Sequence, residues 1–274
     1  SVGYFESSFI NTSLKANIGI GETPKLKIPG FIIDDIEILS FEGQILFVDF
    51  NIEYQQRFTP WLSLYISANM TGRIGTDMST ILADGVNTLS GGTIGWLVRI
   101  KQSEKLNFSG TIAAKKINGT FINVADYIRD ILNNNPNPTV FKKIPATLLG
   151  IGFRGAYAFN PTFGLQFFVD FNYGESLQRS NAQLYFSGGF IGDVDFKPRF
   201  NVPIGVAIGY TLTTTPAIVM NEQGNSNLFS TKISYTGSDD FEIGLQYTSY
   251  NINLSSIEGK PYIKKVLLSF QFYF

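Results

Sequence analysis

Residues 265–274 alternate without a break. Val266, Leu268, Phe270, Phe272 and Phe274 fall on one face, and Lys265, Leu267, Ser269, Gln271 and Tyr273 on the other. A period of two is the mark of a β-strand, and it assigns each side chain to a face. An unbroken apolar ladder needs an apolar environment along its whole length. A strand whose outer face meets lipid has one.

The pattern recurs along the chain. In residues 44–57, Leu46, Val48, Phe50, Ile52 and Tyr54 oppose Asp49, Asn51, Glu53, Gln55 and Arg57. After Thr59-Pro60, a second ladder of Leu62, Leu64, Ile66, Ala68, Met70 and Ile74 opposes Ser63, Ser67, Asn69, Thr71 and Arg73. Further ladders run through Ile94–Ile100, Phe108–Ala114, Leu149–Phe159, Phe163–Tyr173, Val202–Leu212, Phe229–Tyr235 and Phe241–Tyr247. An early strand is expected at 13–21 and a short one at 217–221. Runs of about a dozen residues exceed the soluble strand mode of about 5–6 and suit a tilted bilayer crossing.

The spacing predicts about twelve strands, with ten and fourteen as the neighbouring counts. Short turns are expected at 59–60, 103–105, 160–162, 213–216 and 238–240. Long loops are expected at 22–42, 76–92, 118–146, 175–199, 221–227 and 254–261. Short and long connections then alternate, as in a barrel with short periplasmic turns, long extracellular loops and both termini in the periplasm. A soluble β-sandwich also alternates, but it needs polar outward faces, and here one face of most strands is nearly all apolar. Phe58, Trp61, Phe159 and Phe163 flank the short turns, where an interfacial aromatic girdle belongs.

The last strand resembles the closing strand of bacterial outer-membrane β-barrels, whose signal reads polar-x-Gly-x-x-aromatic-x-aromatic. Phe272 and Phe274 match the aromatics, while Ser269 replaces the glycine and Leu267 the polar residue. The resemblance implies an all-β fold over residues 1–274: a single antiparallel transmembrane β-barrel in the bacterial outer membrane. It implies contact with outer-membrane lipid, and with the barrel-assembly machinery through the strand ending at Phe274.

Composition agrees. Aromatic residues make up 15% of the chain and charged residues 16%, against a usual charged share of about 25%. Such a chain must bury its Phe or place it in lipid. No stretch approaches the roughly 18 apolar residues of a transmembrane helix. The net charge of −1 gives no bulk attraction to nucleic acid. Ser1 at the start fits an export signal already cleaved.

The chain has no histidine and no cysteine. A Ser-His-Asp apparatus therefore has no imidazole base, and thiolate or imidazole metal sites have no ligands. No phosphate-cradling glycine motif lies between a strand and a helix; Gly91-Gly92 and Gly188-Gly189 read as loop glycines. Asp34-Asp35 and Asp239-Asp240 read as turn residues. No enzyme activity, cofactor or metal is expected.

The inward rows carry the informative residues. They hold Lys15, Asp49, Glu53, Arg57, Arg73, Arg99, Lys101, Lys115, Arg154, Asp170, Lys232, Glu242 and Lys265. Basic groups outnumber acidic ones there by about two to one, a lining that favours anionic solutes. The same charges could equally be salt bridges holding a closed barrel. The expected pore lining is Arg57, Arg73, Arg99, Lys101, Lys115, Arg154, Asp49, Glu53, Asp170 and Lys265.

Small residues (Gly205, Ala207 and Gly209 on one strand; Gly150, Gly152, Ala156 and Ala158 on another) leave room inside. A cavity fits there, or long side chains from across the barrel, or a plug. Residues 1–12 form one plug candidate, as a periplasmic or lumenal segment. The loop at 118–146 is the other, with a helical face of Val124, Tyr127, Ile128, Ile131 and Leu132 before the stop at Asn133-Asn134-Asn135-Pro136. The loop at 22–42 is rich in Ile and Phe, and reads as strand beyond the membrane or as a partner patch. Two functions follow. One is an outer-membrane channel for passive diffusion of small polar solutes, with anions favoured. The other is a non-transporting subunit of a larger complex, acting through loops 22–42 or 118–146.

Overall fold

The computed structural model describes residues 7–28, 31–33, 36–38, 41–75, 85–175, 182–214, 226–252 and 262–274. In chain order the elements are β1 (Ser13–Glu22), β2 (Leu26–Ile28), β3 (Phe31–Ile33), β4 (Ile36–Ile38), β5 (Phe41–Gly43), β6 (Leu46–Thr59), β7 (Leu62–Ile74), β8 (Gly85–Gln102), β9 (Leu106–Ile122), α1 (Val124–Leu132), β10 (Phe141–Ala158), β11 (Phe163–Gly174), β12 (Gln183–Asp195), α2 (Lys197–Phe200), β13 (Ile204–Thr213), β14 (Ser226–Tyr235), β15 (Phe241–Ile252) and β16 (Tyr262–Tyr273).

Each barrel strand pairs antiparallel with its neighbours, and β1 closes the ring between β6 and β16. Closure gives every barrel strand a paired neighbour on each side. The closing register runs from Ser13 opposite Tyr273 to Glu22 opposite Lys264. The alternation of the C-terminal strand is thereby locked to that of the first.

The two faces differ as the period of two requires. Ile20 is 66% exposed, Ile112 62% and Leu149 64%, all on the outer face. Leu97 at 0% and Tyr65 at 2% point inward. Aromatic rings pack along the outer wall: Phe108 against Phe153 and Phe167, Phe171 against Phe186, and Phe190 against Tyr210. At the short-connection end Phe58, Trp61, Phe159 and Phe163 are all exposed.

β12 corrects the expected order. Residues 183–195 form a strand where a loop was expected. Their outward row of Leu184, Phe186, Gly188, Phe190, Gly192 and Val194 is broken by glycines. Their inward row includes Tyr185 and Ile191, so the contrast between faces is weak. The connection between β12 and β13, at 196–203, joins the short-turn end and holds α2. No turn to that end occurs at 213–216, because β13 ends at the opposite end and β14 returns from there. The strand expected at 217–221 lies outside the described residues. The count of twelve is right, with one member exchanged.

Between β1 and β6 the chain forms small antiparallel pairs, β2 with β5 and β3 with β4. The described residues of the apolar loop are therefore strand in two small sheets of their own. β8, β9 and β10 are also long, and they carry pairing beyond their neighbours, up to Ile122 opposite Phe141. Pairing of β10 with β11 starts only at Leu148, so residues 141–147 pair with β9 alone among the described residues, apart from one bond from the Glu175 amide to the Thr147 carbonyl.

α1 caps this projection. Asn123 accepts from the Asp126 amide at 2.8 Å, and Asp126 pairs with Arg129 at 2.8 Å. The asparagine stop works as expected: Asn133 is the C-cap, and Asn134 takes the left-handed conformation at φ 53°. Ile131 and Leu132 are exposed, so this helical face is not a lumen plug.

Lysine at position 112 would place an ammonium in the middle of an outer ladder. Ile112→Lys is expected to lower stability by about 2–4 kcal/mol, while the inward neighbour Thr111→Ser changes little. Denaturant titration of both variants folded into phosphatidylcholine vesicles measures this.

Candidate functional site: the barrel lumen

Residues 7–12 precede β1 and turn into the barrel at the short-connection end. The wall holds them through their backbone. Asn107 Nδ2 and Ser109 Oγ both donate to the Ser8 carbonyl, at 2.5 and 3.0 Å. Gln55 Nε2 donates to the carbonyls of Phe9 and Asn11, at 2.7 and 3.2 Å. Arg154 Nη1 reaches the Ser7 carbonyl at 3.4 Å, and its guanidinium lies 5.4 Å from the centre of the Tyr65 ring. Ile10 packs with Tyr65, Leu97 and Ala113 in a small buried apolar cluster.

These residues thus form a lumenal strap against the wall of β6 to β10. The strap accounts for part of the sequence. Asn107, Ser109, Gln55 and Tyr65 are inward residues that no charge argument picks out, because they matter only once the strap is in place.

Further along, Lys265 and Asp49 form a buried ion pair, and Thr71 Oγ1 donates to the same carboxylate at 3.0 Å. Both charged side chains are nearly buried, at 8% and 10% exposure. Lys265 also lies 5.2 Å from the centre of the Phe47 ring. Phe47 in turn covers Gly21, where a Cβ would meet the ring, so glycine is what lets Phe47 lie flat on β1. On the neighbouring strands β14 and β15, Lys232 donates to Glu242 at 2.5 Å. Lys15 stands opposite Glu53 in the β1–β6 register and within electrostatic range of Lys232 and Glu242.

The expected lining residues divide into three groups. Asp49 and Lys265 are brought together. Glu53, Arg73, Arg99, Lys115, Arg154 and Asp170 stand in inward rows; Arg99 and Arg154 share a level, both opposite Ser109, and Asp170 lies over Gly152. Arg57 keeps its inward register opposite Ser63 but is exposed at the rim, and its amide donates to Thr12 Oγ1 at 3.2 Å.

Lys101 leaves the set. The β8–β9 register slips between Arg99 and Lys101, which brings Lys101 opposite Phe108 on the outer row. One extra residue in a strand reverses every face after it.

β12 adds two carboxylates that the expected loop had hidden. Asp193 faces inward opposite Gly164, and Asp195 accepts from Thr236 Oγ1 at 2.8 Å. With Asp49, Glu53, Asp170 and Glu242 they nearly balance the inward cations. The two-to-one basic excess is gone.

The small residues have a local explanation. A Cβ on Gly150 or Gly152 would meet Asn172 or Asp170 of the neighbouring strand. These glycines let adjacent polar side chains lie along the wall. Gly205, Ala207 and Gly209 line β13, while residues 7–9 bond to inward side chains of β6, β9 and β10.

No protein family matches this chain, and no curated protein does. Solved structures do. An outer membrane channel from Pseudomonas putida aligns over 100% of this chain and 99% of its own, at 10% identity and a TM-score of 0.52. The translocator domain of the autotransporter NalP from Neisseria meningitidis aligns over 100% and 91%, at 6% identity and 0.52. The NanC porin aligns over 96% and 100%, at 9% identity and 0.51. The fold is that of the bacterial outer-membrane β-barrels. At these identities the likeness is one of fold alone.

Removing one member of the buried pair strands the other. Lys265→Met is expected to cost about 3–5 kcal/mol, and adding Asp49→Asn to restore most of it. A double-mutant cycle from denaturant titrations reads the coupling.

Proposed function

We propose that this chain is an outer-membrane channel through which small polar solutes diffuse passively. The observation that carries this reading is the division of the barrel wall. The outer rows are mainly apolar, while every inner row holds polar or charged residues, set among small residues on β10 and β13. A polar interior in a barrel with a lipid-facing exterior suits a hydrated path. Selectivity would come from width and charge, with no cofactor. The short-connection end, with both termini, faces the periplasm, and the exposed C-terminal Phe274 engages the barrel-assembly machinery. The strap narrows the path on the β6–β10 side and leaves the small-residue wall of β13 as its other boundary.

The alternative is a non-transporting subunit. The strap and the exposed Ile131 and Leu132 at the end of α1 favour it. A partner would then dock on the projecting 118–146 region or on the 22–42 extension.

Single-channel recording in a planar bilayer separates the two. Discrete, reproducible openings are expected. Arg99→Gln, which neutralises an inward charge, is expected to shift the reversal potential in a salt gradient toward cations. A barrel that is heat-modifiable on gels, and so folded, yet never conducts would reject the channel and favour the subunit.

A further inference from the structure

The ion pair of Lys265 and Asp49 joins two strands that are not neighbours. Lys265 lies on β16 and stands opposite Gly21 of β1. Asp49 lies on β6 and stands opposite Gly19 of β1. The contact between them therefore passes over β1 on the lumen side. Thr71 of β7 donates to the same carboxylate at 3.0 Å. One group of side chains thus ties β16 to β6 and β7, across the seam where the ring closes.

β1 leaves room for this crossing. Its two inward residues beneath the bridge are Gly19 and Gly21. A Cβ on Gly21 would meet the Phe47 ring of β6, and one on Gly19 would meet the Leu267 side chain of β16. Phe47 and Leu267 thus cover β1 from opposite neighbours. The Lys265 ammonium lies 5.2 Å from the centre of the Phe47 ring. Phe47, Asp49, Lys265 and Leu267 are all buried.

The two charged partners are 216 residues apart in the chain. Lys232 and Glu242, by contrast, are 10 apart and belong to the β14–β15 hairpin. In a sheet not yet closed, β16 is one edge and β6 lies next to the other. Asp49 and Lys265 are then far apart and hydrated, and only the pairing of β1 with β16 brings them together. A contact that needs the closed ring stabilises the closed state and not the open sheets that precede it.

We propose that Lys265 and Asp49, seated over Gly19 and Gly21 beside Phe47, form a seam latch. It engages after β1 has met β16, and it sets how slowly the closed barrel reopens. This rests on the closed ring and is independent of the channel reading. Interactions absent from the folding transition state act on the unfolding rate, and interactions present in it act on the folding rate. The latch is of the first kind.

The test uses the full chain, with refolding from urea into phosphatidylcholine vesicles and unfolding out of them. Both rates are followed by the gel mobility of unheated samples. Lys265→Met is expected to speed unfolding by about a hundredfold or more and to change refolding by less than about threefold. Thr71→Val is a milder loss at the same carboxylate. It should speed unfolding roughly tenfold, and it carries the test where Lys265→Met does not fold. Lys232→Met is the comparison. Its pair closes a local hairpin, so a larger share of its effect should fall on refolding.

Refolding slowed by Lys265→Met or Thr71→Val as much as unfolding is speeded would place the bridge in the transition state and overturn the latch. Unfolding rates unchanged in both variants would overturn it too. The same division between the two rates for Lys265→Met and Lys232→Met would overturn the order of formation.

Discussion

Every backbone N–H and C=O that lies in hydrocarbon must find a partner within the protein. This chain meets that demand by placing β1 between β6 and β16. Without that closure, two strands would present unpaired edges to lipid. The rest of the architecture follows. The period of two sends one row outward and one inward. Lipid sets the chemistry of the outer row, and the enclosed space sets that of the inner row. Isoleucine on one side of a strand and lysine on the other are thus answers to the same constraint.

The inner rows face a second constraint. Charges in a confined space of low polarisability must be neutralised locally. The lumen handles this in small groups, such as Lys265 with Asp49 and Lys232 with Glu242. Uncharged donors on β6 and β9, with Arg154 on β10, hold the strap. Summed charge is consequently a poor description of this interior. Asp193 and Asp195 sit near Glu242, away from the strap, and they alter the total without altering the donor group.

Most of the barrel was legible in the sequence, because burial in lipid writes its demand residue by residue. Ladders such as Leu46–Tyr54 and Leu62–Ile74 weighed against a soluble β-sandwich, whose outward faces must be polar. β12 was not legible, since Gly188 and Gly192 dilute its outer row and Tyr185 and Ile191 enrich its inner one. Lys101 was misplaced for a related reason. Alternation counts residues, and a bulge adds one without any mark in the sequence. The inward side of Asp49, Glu53, Arg154 and Lys265 could be read from alternation, but their partners could not. Pairing across a lumen depends on strand stagger, which is a property of the closed ring. Residues 1–12 were expected as one of two plug candidates; residues 1–6 lie outside the described residues, and residues 7–12 bond to the inward side chains of β6 and β9. These contacts to Gln55, Asn107 and Ser109 come from strands far apart in the chain.

The wall is uneven in height. β8, β9 and β10 rise past their neighbours, and residues 141–147 of β10 lack a strand partner on one side among the described residues. Such an edge is a template on which a foreign strand can add itself. Three residues work against that here. Pro145 has no N–H to offer an incoming strand, and Lys142 and Lys143 bring like charge to any second copy of the same edge. A second copy of the same edge would therefore meet like charge and one missing donor.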